Sequence, residues 1–290
     1  MIDVLDPRCS NIKEKALKLL DDAFGGFPKD YYDHIFFDSN EKTKLLGVID
    51  DGELVAMNGF IAHPVSRNGV ASVAYQSCLS ATRSDQKGKG YFSKIINSAK
   101  IQLKDDGGAF IFGFPNHNSA PIFIKKLGFS VSNNIPCIFY KNSLFGVGRI
   151  DEEEMYDSGA NKERVYFDVC DVAEWKMKKN DRVFFEFEKY TNYFFGEVKV
   201  KKVMGVPVRV LLISAYEINK PMIINLTIKE AMKSANVSFL RIVANSTSAF
   251  AKSASMKRSQ SLTEPVISFG LNWELEAQDI EVFAGVKDAY

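Results

Sequence analysis

The stretch between residues 70 and 114 constrains the fold more than any other. Residues 70–82 read as one long strand. Tyr91, Phe92, Ile95, Ile96, Ala99 and Leu103 mark one face of a helix that Gly107-Gly108 stops. Residues 109–114 form a continuous apolar run, the pattern of a strand buried on both faces. A helix with one apolar stripe beside such strands has to lie on a sheet, so the chain reads as mixed α/β.

The flanking sequence agrees. Residues 11–24 carry an apolar stripe (Ile12, Ala16, Leu19, Leu20, Ala23, Phe24) ended by Gly25-Gly26, with Asn11 and Glu14 at capping-box spacing. A shorter aromatic helix follows over 31–37. Residues 45–49 and 53–62 around Asp50-Asp51-Gly52 read as a hairpin, and a second turn at 66–69 leads into the long strand. Beyond residue 114, Asn118 or Ser119 caps another helix that ends at Gly128, and 130–134 and 137–140 read as closing strands. The expected sheet is mostly antiparallel and flanked by helices.

Bulk composition narrows the function. With 290 residues, 46% apolar and 25% charged, the chain supports one large or two ordinary globular domains, and its 23 Phe read as core. A formal charge of +1 gives no footprint for nucleic acid. No run approaches the roughly 18 apolar residues of a membrane span, and the acidic N-terminus does not read as a signal peptide. Cys9, Cys78, Cys137 and Cys170 are widely spaced, without a CxxC pair, beside only three His. No metal site is expected, and a reduced, cytoplasmic setting fits.

The chemistry concentrates in Asp85-Gln86-Lys87-Gly88-Lys89-Gly90-Tyr91-Phe92. Glycines let the backbone approach a ligand, and amides entering a helix N-terminus form an anion nest, to which Lys87 and Lys89 add positive charge. The combination suits a pyrophosphate. It is not a P-loop, because no GxxxxGK string is present. The GxGxxG fingerprint fails at its third glycine, where Ser93 stands.

In this order of elements, the loop, the string Phe114-Pro115-Asn116-His117-Asn118-Ser119-Ala120 and a helix running into Gly128-Phe129 resemble the GNAT (Gcn5-related N-acetyltransferase) superfamily over residues 1–140. The first family signature places Lys87, Gly90 and Phe92 at its Arg/Gln, Gly and small positions. A shifted register uses Asp85, Gly88 and Gly90. The resemblance implies that acetyl-CoA is the co-substrate. Its pyrophosphate would lie on Gln86, Lys87, Gly88, Lys89, Gly90 and Tyr91, its pantetheine and thioester along the backbone of Leu79, Ser80 and Ala81, and Asn116 and Ser119 would touch the pantetheine arm unless they only cap the helix. It implies direct attack of an amine on the thioester. Family members often place a Tyr acid where Ile124 stands here. His117 and Tyr140 are the substitute catalytic candidates, each with a structural reading beside it, and His34 and His63 read as structural.

Asn116, Ser119 and Ala120 recur as Asn245, Ser248 and Ala249 after a second apolar strand. The chain therefore reads as two GNAT-like halves: an acyl-CoA-binding domain over 1–145, a linker over 146–163 containing Asp151-Glu152-Glu153-Glu154, and a second domain over 164–290. A surface loop is the alternative for 146–163. In the second half, 197–202 and 206–215 around Met204-Gly205 read as a hairpin, Thr227 and Glu230 as a capping box, 238–244 as a strand, and 266–272 and 280–283 as closing strands. Its counterpart of the glycine loop, 217–221, has no glycine. Such tandem chains resemble acetyltransferases of bacterial surface-polysaccharide clusters, which implies a small amine acceptor such as an amino sugar. The alternatives are a non-catalytic acyl-CoA- or partner-binding module and an aminoacyl transferase of related tandem fold.

Overall fold

A computed structural model describes residues 2–140, 165–178, 184–189, 191–203, 205–220, 223–245 and 264–281. In chain order the elements are β1 (Asp3–Leu5), α1 (Ser10–Phe24), α2 (Lys29–Phe36), β2 (Lys44–Asp50), β3 (Glu53–Arg67), β4 (Val70–Thr82), α3 (Tyr91–Asp105), β5 (Phe110–Gly113), β6 (Ser130–Tyr140), β7 (Val165–Phe167), α4 (Val169–Met177), β8 (Phe184–Lys189), β9 (Asn192–Val203), β10 (Val206–Glu217), α5 (Ile224–Ser234), β11 (Phe239–Asn245), β12 (Glu264–Gly270) and β13 (Ile280–Glu281). They form two compact units. The first comprises residues 1–66, 70–131 and 266–277, the second 67–69, 132–265 and 278–290. The expected linker at 146–163 lies outside the described residues.

The first unit is a mixed sheet in the order β1-β2-β3-β4-β5-β12. Its β2–β3 hairpin turns through Asp51 (φ 48°) and Gly52 (φ 77°), the paired left-handed residues that match strand twist. β4 and β5 run parallel, joined by α3. The stripe of α3 buries Ile95, Ile96, Ala99 and Leu103 in one cluster with Phe60, Tyr75, Ile111, Phe123, Phe129 and Ile267. Gly108 follows α3 because nothing larger fits: a Cβ there would stand 2.7 Å from the Leu103 carbonyl oxygen and 2.7 Å from the Tyr75 ring. Helix α1 ends as expected at left-handed Gly25. It begins at Ser10 after Cys9, so the anticipated Asn11/Glu14 box does not form. The expected helix before Gly128 contains a π-helical turn, Ile122–Lys126, closed by the Leu127 amide on the Ile122 carbonyl.

β12 departs from the sequence expectation. It pairs antiparallel with β5, from Ile267↔Gly113 to Gly270↔Phe110, and so belongs to the first unit rather than closing the second. The chain after it is tied there too. The Asn272 amide nitrogen donates to the Lys104 and Gly108 carbonyls at 3.0 and 2.9 Å, satisfying groups that the end of α3 leaves open.

The second unit has the strand order β6-β11-β10-β9-β8, with β7 and β13 pairing in parallel. The residues expected to form two closing strands are one strand, β6, which pairs with β11 from Asn134↔Asn245 to Tyr140↔Phe239. The β9–β10 hairpin forms with a bulge between Ile213 and Ala215. Thr227 does not cap α5, which starts three residues earlier. Its hydroxyl instead bonds back to the Ile223 carbonyl at 2.9 Å inside the helix, and Glu230 pairs with Lys189 at 3.0 Å. β10 and β11, joined by α5, are parallel as β4 and β5 are, so each unit repeats one strand–helix–strand motif.

Two stability measurements follow. Ile267 is fully buried, and Ile267→Ala is expected to cost about 2–5 kcal/mol in urea denaturation. In the second unit, burial and then the Asp168 and Glu174 carboxylates push the Asp171 carboxyl up to about 6. Its folded-state value lies above its unfolded one, so the group lowers stability as pH rises from about 4 to 6. Asp171 is half-buried, and water screens part of this. Thermal melts of Asp171→Asn should therefore match the parent at pH 4 and gain at most about 1 kcal/mol at pH 8.

Candidate functional site

The residues expected to hold the cofactor follow the carboxyl ends of β4 and β5, where open α/β sheets bind ligands. Pairing between these strands runs from Ala74↔Phe110 to Ser77↔Gly113 and ends there, while β4 continues to Thr82. Exposure follows the pairing. Ala74, Tyr75 and Gln76 are buried, Ser77, Cys78 and Leu79 are half-buried, and Ser80 is exposed. The backbone of β4 from Cys78 onward is therefore a strand edge without a β5 partner, able to hydrogen-bond an extended ligand.

Leu79 has φ 47°, inside a strand. A left-handed leucine costs about 1–2 kcal/mol and persists only where its surroundings hold it. The residue interrupts the two-residue alternation, so Ser77 and Ser80 reach the same acceptor. The Asn58 Oδ1, fully buried on β3, takes the Ser77 hydroxyl at 3.2 Å and the Ser80 hydroxyl as well, while the Asn58 Nδ2 donates to the Gly59 carbonyl at 2.7 Å. The sequence reading missed Asn58 and Ser77. The available signals were one amide in the apolar run 54–62 and two serines spaced by three in a strand.

The glycine loop follows directly. The 3-10 turn Ser84–Gln86 is tied down by the Ser84 amide on the Asp22 carboxylate at 3.2 Å. Gln86 is buried, and its Oε1 accepts from the Lys89 ammonium at 2.5 Å. Gly88 and Gly90 are left-handed at φ 84° and 74°, and α3 starts on Gly90 with no side-chain cap. Its first backbone bond is Lys94 N–H to the Gly90 carbonyl at 3.1 Å, so the amides of Tyr91, Phe92 and Ser93 precede any intrahelical acceptor. Lys87, Gly88, Lys89 and Gly90 are all exposed. Asp85 is the one acid in the loop. Its carboxyl is held below its ordinary range by the Arg83 guanidinium, whose two nitrogens approach it at 2.6 and 2.9 Å. An anion arriving on the amides thus meets a neutralised acid.

Phe92, bulky where the family signature is small, turns inward and meets Phe123 edge-on with centroids 5.1 Å apart. The substitution fills core and leaves the amides open. Asn116 and Ser119 are engaged with each other. Asn116 Oδ1 accepts from the Asn118 and Ser119 amides at 2.9 and 3.0 Å, and Ser119 Oγ accepts from the Asn116 amide at 3.1 Å. Local capping therefore accounts for both side chains. His117 is exposed in the same turn, and Ile124, at the family's tyrosine position, is 37% exposed. Tyr140 ends β6 in the second unit, opposite Phe239, and its side chain lies outside the described residues. His34 and His63 are buried. His63 Nε2 and Gln76 Oε1 are 3.1 Å apart, and His34 Nδ1 lies 3.3 Å from Asp38.

The first unit thus places parallel strands that part beside an uncapped, glycine-entered helix. Residues 10–132 match the family model of the acetyltransferase (GNAT) domain. No curated protein matches the chain. Solved structures extend the fold across both units. GCN5-related N-acetyltransferases from Anabaena variabilis and Kribbella flavida superpose with TM-scores of 0.65 and 0.64, each at 10% identity and 94% of this chain, over 73% and 71% of their own. Eis1 from Mycobacterium abscessus is similar over 94% of this chain and 74% of its own, with a TM-score of 0.59 and 10% identity. Among the described residues, no helix is long and apolar enough to cross a membrane.

A Cβ at Gly90 meets no atom within 4 Å, so the left-handed backbone is what resists a larger residue there. Gly90→Val is expected to lower stability by about 1–2 kcal/mol in thermal denaturation, with no larger collapse.

Proposed function

We propose that the first unit binds acetyl-CoA and transfers its acetyl group to a small-molecule amine. The observation that carries the reading is the coincidence, at one end of β4, of a parted strand edge and an uncapped amide nest. The pyrophosphate lies on the amides from Gly88 into the first turn of α3. The pantetheine extends along the edge at Leu79, Ser80 and Ala81. Lys87 and Lys89 supply charge at the loop, and Gln86 steadies Lys89. Asn116 and Ser119 hold the turn that borders the pantetheine rather than binding it with side chains already in use.

The neutral amine attacks the thioester carbon. The C–N bond forms, the carbonyl oxygen gains negative charge that a β4 amide stabilises, and the C–S bond breaks to release thiolate. The ammonium proton passes to solvent or to exposed His117. Ile124 supplies no acid, but a thiol of pKa near ~8.5 leaves acceptably as thiolate. Tyr140 is the second candidate for that role. Binding is confined to the first unit. Residues 217–221 lack glycine, and the span between paired positions is seven residues shorter there, Val210 to Phe239 against Ala74 to Phe110. The resemblance to surface-polysaccharide acetyltransferases favours an amino sugar as acceptor, and the expected setting is the cytoplasm.

Isothermal titration and a thiol-release assay with a panel of amino-sugar nucleotides test this. Acetyl-CoA should bind in the micromolar range, one per chain, and Gly90→Val should weaken it at least tenfold. His117→Ala should slow turnover by less than about tenfold, since water can replace an exposed proton acceptor. Tight binding without turnover on any amine would indicate a binding module, and no binding at millimolar acetyl-CoA would sink the reading.

A further inference from the structure

We propose that Asn58 is a positioning residue for the acyl-transfer site, its carboxamide locking the Leu79 bulge so that the 79–81 backbone faces the thioester. The inference rests on the acetyl-CoA reading above and adds a residue to it. Asn58 is fully buried in β3, in an otherwise apolar run, where an amide is retained only if its polar atoms are satisfied. Its orientation is fixed by its neighbours. The Gly59 carbonyl can only accept, so the atom 2.7 Å from it is the amide nitrogen, and the opposite atom is the oxygen. Both serine hydroxyls therefore donate to Asn58 Oδ1.

Those donors flank the bulge. In an uninterrupted strand Ser77 and Ser80 would point to opposite faces. They share one acceptor because Leu79 between them is left-handed. Flattening Leu79 to ordinary strand geometry would swing one hydroxyl away and leave the buried oxygen short of a donor. The bulge begins where pairing with β5 ends, so no β5 backbone bond holds it. The same three side chains thus hold the one segment of β4 that would meet the acyl group. Ser77 is half-buried and Ser80 exposed, so neither hydroxyl needs Asn58 for its own solvation.

Two ligands separate positioning from folding. Acetyl-CoA would use both the loop and the bulge, whereas 3′-phospho-ADP carries the pyrophosphate but no pantetheine. In the full chain, Ser77→Ala/Ser80→Ala should bind 3′-phospho-ADP within about twofold of the parent and acetyl-CoA at least tenfold more weakly. Asn58→Leu should do the same, and if that variant fails to fold, the serine variant decides. A purely structural role would lower Tm while leaving the ratio of the two Kd values unchanged, and that result overturns the proposal. A parent protein that binds neither ligand would instead overturn the acetyl-CoA reading itself.

Discussion

The parallel pairing of β4 with β5 stops at Ser77↔Gly113, and the site depends on that stop. Up to this point the strands satisfy each other's backbone and bury Tyr75 and Ile111 under α3. Beyond it β4 carries polar backbone that needs another partner. The crossover that makes the pairing parallel also brings the amino end of α3 to the same edge of the sheet, because a helix returning from a strand's carboxyl end must begin there. A strand edge and a helix dipole of useful sign are thus produced together by one connection. Neither would be placed correctly if Ile95, Ile96, Ala99 and Leu103 failed to seat α3 on the sheet.

The glycines of the loop follow from that geometry. The chain leaves β4 through a turn pinned to α1 by Asp22 and must reverse into α3 within a few residues. Left-handed Gly88 and Gly90 make the reversal without strain. The second unit makes the corresponding connection without glycine. There Asn192 pins Lys220 instead, accepting from its amide at 2.9 Å and donating to its carbonyl at 3.2 Å. Two related connections have been closed in different ways, one leaving amides open and one using a buried side chain to fill the turn.

Local signals were legible in the sequence, and partnerships over distance were not. The stripe of α3, the Asp51-Gly52 hairpin and the glycine loop each arise from residues close in sequence, and each sits where its pattern placed it. β12 is different. Its apolar run Val266-Ile267 specifies a strand but carries nothing that names β5 as its neighbour, and its partner lies some 150 residues upstream. Periodicity gives the face that a strand buries, not the sheet it joins. Thr227 failed for a related reason: the capping pattern was present, but its hydroxyl had a better acceptor within the helix and a buried donor in Asn192. The Leu79 bulge was invisible because leucine is a poor left-handed residue, and the hydrogen bonds that flank it reach Asn58 on another strand.

Phe92 and Ile124 weigh differently once packing is considered. Phe92 breaks the family signature in sequence, yet its ring faces Phe123 and the core, while a helix's first amides point along the axis, away from its side chains. A bulky residue there is compatible with an open nest, and the departure says nothing against cofactor binding. Ile124 is not compensated in that way. It sits exposed in the π-helical turn, seven residues after His117 in the chain. The two departures therefore separate: Phe92 fills core and leaves the first amides of the helix open, whereas Ile124 puts an apolar side chain where the family places a proton donor.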